Sequence, residues 1–508
     1  MATPNTSSSS LNGNEMASAL DKTMTKIDPE KLASILTSSS SSSTATKRKQ
    51  PSAERRTSSN DHHGKQSKRD DHDAHNTINQ YQGWTVPEPQ YILPTIDATT
   101  VTPTQFYNEY VSPRRPVVLR GTLHDLQPVL TQWSSSRNNN DHFRQMAGKE
   151  LLSVEQRSHL QESFGRGQEV SMTFAEFLDL VEQGDSYHYL TTQNVYANDD
   201  GRPDLMAPFL KCLAQDFPYR PHLMGHLVPQ NINIWMGNNQ DGTSSGLHHD
   251  YHDNLYMVIR GTKKFRLYSP QDTEKMYTKG KLVKVHPNGR INYEGEITTA
   301  YGADLQSDAA AKASKAKEIA EQKLIKAEQD VALGKPGAEE DLERAEEMLE
   351  EAMDALLDAE MGDDDDDDDD MDGSDIDDEA IENDDEHDKN MESIDELSSS
   401  SRRVVDKTVK NPNNFSQVPL DLLKTDNKEQ LKQKFPEILK ANVAFCEVSK
   451  GDILYLPASW FHEVTSFGGK DGHLALNYWF HPPDAVNNFD NPYTTDFWPN
   501  DYQDRFEN

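Results

Sequence analysis

Ser245-Gly-Leu-His-His-Asp-Tyr-His-Asp-Asn254 runs straight into Leu255-Tyr-Met-Val-Ile-Arg-Gly-Thr-Lys-Lys-Phe-Arg-Leu-Tyr-Ser-Pro270, and this stretch decides the fold. His248 and Asp250 form an H-x-D pair, and on extended backbone residues i and i+2 point to one face. One imidazole and one carboxylate therefore converge on a point. They are two of the three groups of a facial triad, the arrangement that holds Fe(II) and leaves coordination positions open. His249 leads to Tyr251 and His252 to Asn254, so only His248 has a carboxylate two residues on. The strand from Leu255 to Arg260 is expected to turn at Gly261-Thr262 and return as Lys263 to Tyr268. Such a hairpin would set Lys263 beside the metal as a cation for an acidic ligand.

An isolated H-x-D is most often a solvated loop. A second stretch lowers that reading. Gly451-Asp-Ile-Leu-Tyr-Leu-Pro-Ala-Ser-Trp-Phe-His462 is a turn, a short buried strand and a histidine on an aromatic rim, followed by the apolar run His473 to Phe480. His462, 214 residues beyond His248, is the candidate third ligand. Two imidazoles and a carboxylate would equally hold Zn, Mn, Co or Ni.

The pattern H-x-D-x3-N from His248 to Asn254, G-x-K from Gly261 to Lys263, and G-D-x-x-Y-x-P-x-x-W-x-H from Gly451 to His462 closely resembles the JmjC-domain family of Fe(II)- and 2-oxoglutarate-dependent oxygenases. The resemblance covers roughly 84–300 and 402–508. The runs Thr104 to Tyr107, Arg115 to Gly121, Tyr189 to Gln193 and Asn233 to Gly237 look most like the small JmjC lysyl-hydroxylase type. Asp250, where other branches carry Glu, also resembles the protein hydroxylases. The resemblance implies a double-stranded β-helix (a cupin-like jelly roll) with Fe(II) held by His248, Asp250 and His462 and with 2-oxoglutarate and O2 as co-substrates. It picks Lys263, not Lys264, for the distal carboxylate of 2-oxoglutarate. Ser245, at a position more often Thr, and Tyr189 would hydrogen-bond that carboxylate, while Asn254 and Asn477 would line the site. His249 and Tyr251 are expected at the mouth, in reach of substrate. The implied reaction is hydroxylation of a protein side chain, lysine above others, with release of succinate and CO2. Lysine demethylation of histones by the same chemistry, or a catalytically inactive JmjC scaffold, remains open.

Composition limits the rest. Two cysteines, Cys212 and Cys446, among 508 residues cannot build a disulfide framework, which points to a reducing, intracellular setting, cytoplasm or nucleus. No apolar run suits a membrane span or a signal peptide, and no phosphate loop or nucleic-acid stripe is present. The net charge is −35, but residues 339–397 carry thirty-two Asp and Glu against Arg344 and Lys389, leaving −5 for everything else. Four regions follow. Residues 1–83 form a Ser/Thr/Asn-rich tail, expected to be disordered, with basic clusters at Lys47 to Lys49 and Arg55-Arg56. Residues 84–304 hold the first part of the catalytic domain. The helix from Thr102 to Tyr110, the strand from Arg115 to Gly121, the helix from Thr173 to Glu182, a helical segment from Leu205 to Phe217 and a turn at Asn288-Gly289 are expected there. Residues 305–401 are an insertion: a helical hairpin with a seam at Leu342, Ala345, Leu349, Ala352 and Leu356, then an acidic run around Asp363 to Asp370 that like charges keep disordered and that would suit basic proteins. Residues 402–508 complete the domain.

Overall fold

The run Asp253–Arg260 has no polar face, since every residue in it is buried, so it must be covered on both sides and flanked along both edges. The computed structural model, which describes residues 78–134, 136–158, 167–197, 202–238, 240, 242–361, 412–424 and 428–506, meets both needs with a jelly roll. Its strands are β1 (Pro229–Gly237), β2 (Thr243–Ser244), β3 (Asp253–Arg260), β4 (Thr262–Tyr268), β5 (Val443–Ser449), β6 (Ile453–Leu456), β7 (Phe461–Phe467) and β8 (His473–Phe480). They form two facing antiparallel sheets in the orders β1-β8-β3-β6 and β2-β7-β4-β5. This is the eight-stranded double Greek key. Val117–Arg120 and Thr95–Asp97 widen the first sheet beyond β6, and His188–Leu190, Leu151–Gln156 and Gln168–Thr173 widen it beyond β1.

The two inner faces meet in a cluster that includes Tyr256, Val258, Phe265, Leu267, Ala444, Val448, Leu454 and Ala475. Alternation along β3 sends Leu255, Met257 and Ile259 to the other side, where they pack with Phe106, Trp133, Phe143, Phe174 and Phe177. Helix α1 (Phe174–Glu182) supplies part of that cover. Thr173 and Glu176 close a capping box at its start, and its stripe of Phe174, Phe177, Leu178 and Val181 is buried as the spacing predicts.

Three local expectations need correction. β3 and β4 are not a hairpin: β6 and β8 already occupy both edges of β3, so the chain crosses to the opposite sheet. Gly261, at φ +75°, makes that corner, where a Cβ would lie 2.4 Å from the Phe467 carbonyl oxygen. The segment from Leu205 to Phe217 is helical only over Pro208–Lys211. The capped helix after Thr102 is α-helical over Pro103–Phe106 and widens into a π turn over Tyr107–Val111. Asn288-Gly289 does turn the chain, between the paired strands Leu282–Val285 and Ile291–Tyr293.

Beyond these strands the chain leaves the barrel as α2 (Leu305–Ala332) and α3 (Ala338–Met361). They bury alanines at seven-residue spacing, Ala313, Ala320 and Ala327 on one helix and Ala338, Ala345 and Ala352 on the other. Leu342, Leu349 and Leu356 are half-buried beside them. The Tyr301 hydroxyl donates to Asp308 at the base of α2. The basic clusters and the run from Asp363 to Asp370 lie outside the described residues. Cys212 and Cys446 are free thiols. Among the described residues no helix is long and apolar enough to cross a membrane.

Candidate metal centre

The backbone brings the histidines together before any side chain is considered. His248 and His462 face each other across an isolated antiparallel bridge, each N–H donating to the other's carbonyl at 3.1 and 2.6 Å. Their rings lie 4.3 Å apart. The extended backbone from His248 then carries Asp250 to the same side, with Oδ2 3.6 Å from His462 Nε2. One ligand atom from each of the three residues lies within 4.8 Å of the others.

The two imidazoles are set for ligation. His248 Nδ1 donates to the Gly246 carbonyl at 3.1 Å and His462 Nδ1 to the Trp460 carbonyl at 2.9 Å. Each Nε2 is thereby left with its lone pair toward the cluster, the tautomer a metal needs. Burial, and then the neighbouring His462, pull the pKa of His248 down to about 4 and keep it neutral. Phe415, where the chain re-enters the barrel after the helical pair, stacks on the His248 ring at 4.8 Å.

The approach to His462 is braced by ionic and strained elements. Arg114 Nη1 donates to Asp253 Oδ2 at 2.8 Å, Nη2 donates to Oδ1, and Nε donates to the Asn288 carbonyl at 2.9 Å. Asp253 also accepts from the Tyr455 hydroxyl at 2.7 Å and the Ala458 N–H at 2.9 Å. Ser459, held at φ +59°, donates its N–H to the Asp250 carbonyl at 2.7 Å. The loop before His462 is thus fixed to the H-x-D segment, although neither Arg114 nor Asp253 had a local signal in the sequence.

Lys263 lies in the interior, 3% exposed, and donates to the Tyr189 hydroxyl at 3.1 Å. Lys264 faces out toward Glu447. No carboxylate among the described residues pairs with Lys263, and burial alone lowers its pKa to about 7. Tyr256 links this end to the ligands. Its ring is 5.3 Å from Lys263 Nζ, and both Tyr189 and Asp250 add to the burial that opposes its ionisation. A buried lysine with no counter-charge is a costly group that an acidic ligand would relieve.

The other expected residues fall in different places. Asn477 donates to Asn254 Oδ1 at 3.3 Å and accepts from Trp235 Nε1 at 2.7 Å, a chain on the inner face of the first sheet. The Ser245 hydroxyl donates to the Gly246 carbonyl at 3.0 Å and accepts the Val464 N–H at 3.3 Å. His249 is not at the mouth: it is 0% exposed, packed against Tyr251, Tyr293 and Phe461, with Nε2 2.8 Å from the Tyr293 hydroxyl. Tyr251 is half-buried and donates to Glu296 at 3.0 Å.

A family model described as cupin-like domain matches residues 103–486. The chain is 32% identical over 442 residues to JmjC domain-containing protein 4 of Schizosaccharomyces pombe, which spans 82% of this chain and 90% of that protein. It is 30% identical over 178 residues to the Homo sapiens bifunctional peptidase and (3S)-lysyl hydroxylase JMJD7, covering 34% of this chain and 52% of that protein. With lysine-specific demethylase 8 of Danio rerio it shares 28% over 179 residues, 34% of this chain and 39% of that protein.

Proposed function

Because the chain belongs to the JmjC-type, cupin-like family, we propose that it is an Fe(II)- and 2-oxoglutarate-dependent oxygenase that hydroxylates a protein side chain, most specifically lysine. One observation carries the reading. Three ligand atoms, two of them imidazole nitrogens already oriented by backbone carbonyls, share an interior with a buried lysine that lacks an anion. When bound, Fe(II) with 2-oxoglutarate and dioxygen supplies insertion of oxygen into a C–H bond, with release of succinate and CO2.

The chain's own residues do the positioning. His248, Asp250 and His462 would hold the metal, and three protein ligands would leave it positions for co-substrates. Lys263 takes the distal carboxylate of 2-oxoglutarate, with Tyr189 steadying the ammonium, and Asn254 and Asn477 line the wall beside it. Phe415 covers one face of the His248 imidazole with apolar surface.

The alternative is removal of an N-methyl group from lysine, the activity named for the Danio rerio relative. A catalytically inactive scaffold is disfavoured by a complete set of ligands. Mass spectrometry separates the readings, using candidate proteins incubated with enzyme, Fe(II) and 2-oxoglutarate. Gain of one oxygen on an unmethylated lysine is expected. Formaldehyde release from methyl-lysine peptides, with no oxygen gained elsewhere, would replace hydroxylation by demethylation.

A further inference from the structure

Resting on the co-substrate reading above, we propose that His473 is a third ligand-binding residue at the distal end of the pocket, its imidazole N–H donating to the same carboxylate that Lys263 receives. His473 opens β8 and is 1% exposed. Neither Nδ1 nor Nε2 has a hydrogen-bond partner among the described residues. An imidazole buried with both nitrogens unmet carries the full desolvation penalty of a donor and an acceptor. Such a group in a native interior calls for an explanation.

Its neighbours supply one. Residues 473, 475 and 477 alternate onto the inner face of β8, the face that carries Asn477 and the interior cluster. His473 pairs with Gly237 of β1, and Gly237 pairs in turn with Tyr189. The missing side chain lets the Tyr189 ring pack onto the Gly237 backbone, since a Cβ there would lie 2.7 Å from that ring. The Tyr189 and His473 rings then approach to 5.0 Å. Tyr189 is the residue to which Lys263 donates. Burial first, and then the charge of Lys263, hold His473 neutral, so it keeps one N–H to give. The same grouping that is poor for cations suits an anion. A lysine ammonium without a counter-charge and an imidazole N–H without an acceptor both lie against one tyrosine, the first at its hydroxyl and the second at its ring. A carboxylate placed there satisfies both.

The test uses the full chain with Mn(II) in place of Fe(II), and measures binding of 2-oxoglutarate and of 2-oxovalerate, which has a methyl where the distal carboxylate stands. His473→Phe should weaken 2-oxoglutarate about tenfold, the size of one hydrogen bond to a charged group. It should leave 2-oxovalerate and Mn(II) binding unchanged. The ligand-free melting temperature should hold or rise, because an apolar ring replaces two unsatisfied nitrogens. If the Phe variant does not fold, His473→Ala is measured the same way with the same expectation for the ratio of the two ligands. An unchanged ratio in either folded variant overturns the role of His473 while leaving the co-substrate reading intact. A wild-type protein that prefers 2-oxoglutarate to 2-oxovalerate by nothing overturns both.

Discussion

The barrel and the helical pair bury their surfaces by different means. The barrel sheathes β3 on both faces and traps charge inside, with Arg114 and Asp253 paired and Lys263 not. The pair α2–α3 buries a seam of alanines and leaves Ile319, Ile325, Met353 and Leu357 exposed. Among the described residues, no buried side-chain atom without a hydrogen-bond partner lies within 305–361. Among the described side chains, α3 instead turns ten acidic residues, against Arg344, toward solvent. Inside the barrel, Lys263 without a counter-charge and His473 without a hydrogen-bond partner among the described residues are groups that a small anionic ligand can satisfy. The polar groups of the helices face solvent and need no ligand to satisfy them.

The comparison breaks most visibly at the ligands. His248→Ala, Asp250→Ala or His462→Ala should reduce 2-oxoglutarate turnover to background while the circular dichroism spectrum stays that of the wild type. Full turnover by a soluble Asp250→Ala protein would remove the metal assignment. Next comes the paired charge. Arg114→Ala strands Asp253 in the interior and should cost about 3–5 kcal/mol in a urea titration, whereas Arg344→Ala on α3 should fall within about 0.5 kcal/mol of wild type. Equal losses would show that Asp253 finds another partner.

The unpaired charge gives a smaller effect with a pH signature. Lys263→Ala should raise the 2-oxoglutarate requirement by roughly one to two decades, since a hydrogen bond to a charged group contributes about 1.5–3 kcal/mol, and should spare metal affinity. In the wild type the carboxylate favours charged Lys263, whose pKa without ligand is about 7. Binding therefore takes up a proton above that pH. Affinity should be flat below pH 7 and decline with rising pH, by at most about tenfold per unit. A titration flat from pH 6 to pH 9 in calorimetry would place Lys263 outside the pocket.

The smallest effect on chemistry is expected from the helices. We propose that residues 305–401 recruit a basic protein and are dispensable for turnover. Replacing them with a Gly/Ser linker should leave uncoupled turnover unchanged and abolish salt-sensitive binding to basic proteins such as histones. Retained binding, or a linker variant that does not fold, would end that proposal.

Much of the centre was legible because its cues are local. The i, i+2 geometry of His248 and Asp250 and the turn and aromatic rim before His462 need only a few residues of context, whereas alternation alone says only that one of Lys263 and Lys264 faces in, and the family resemblance made the choice. What escaped depends on distance or on topology. Arg114 and Asp253 are 139 residues apart, with no periodic signal to join them. Phe415 sits beyond the helical pair, where no pattern announces an aromatic over His248. The β3–β4 corner looked like a hairpin because strand and turn were read without the partners that occupy both edges of β3. His473 resembled the first residue of an apolar strand, since lacking a partner is a property of the assembled interior. His249 was misplaced for the converse reason: its hydroxyl partner, Tyr293, lies 44 residues on.

The strand order has a consequence for how the protein is made. Every neighbour pair within the eight-stranded core joins one of β1–β4 to one of β5–β8, so the first four strands have no core partners among themselves. As the chain leaves the ribosome, β3 and β4 emerge with bare edges and apolar faces. They must wait while 174 residues, the helical pair among them, separate Tyr268 from Val443. At about 5–20 residues per second that pause lasts roughly ten to forty seconds. During it α2 and α3 can close on each other through short-range contacts. The nascent first half thus has long exposure to chaperones and to its own kind, and the three candidate metal ligands come together only when the last quarter of the chain arrives.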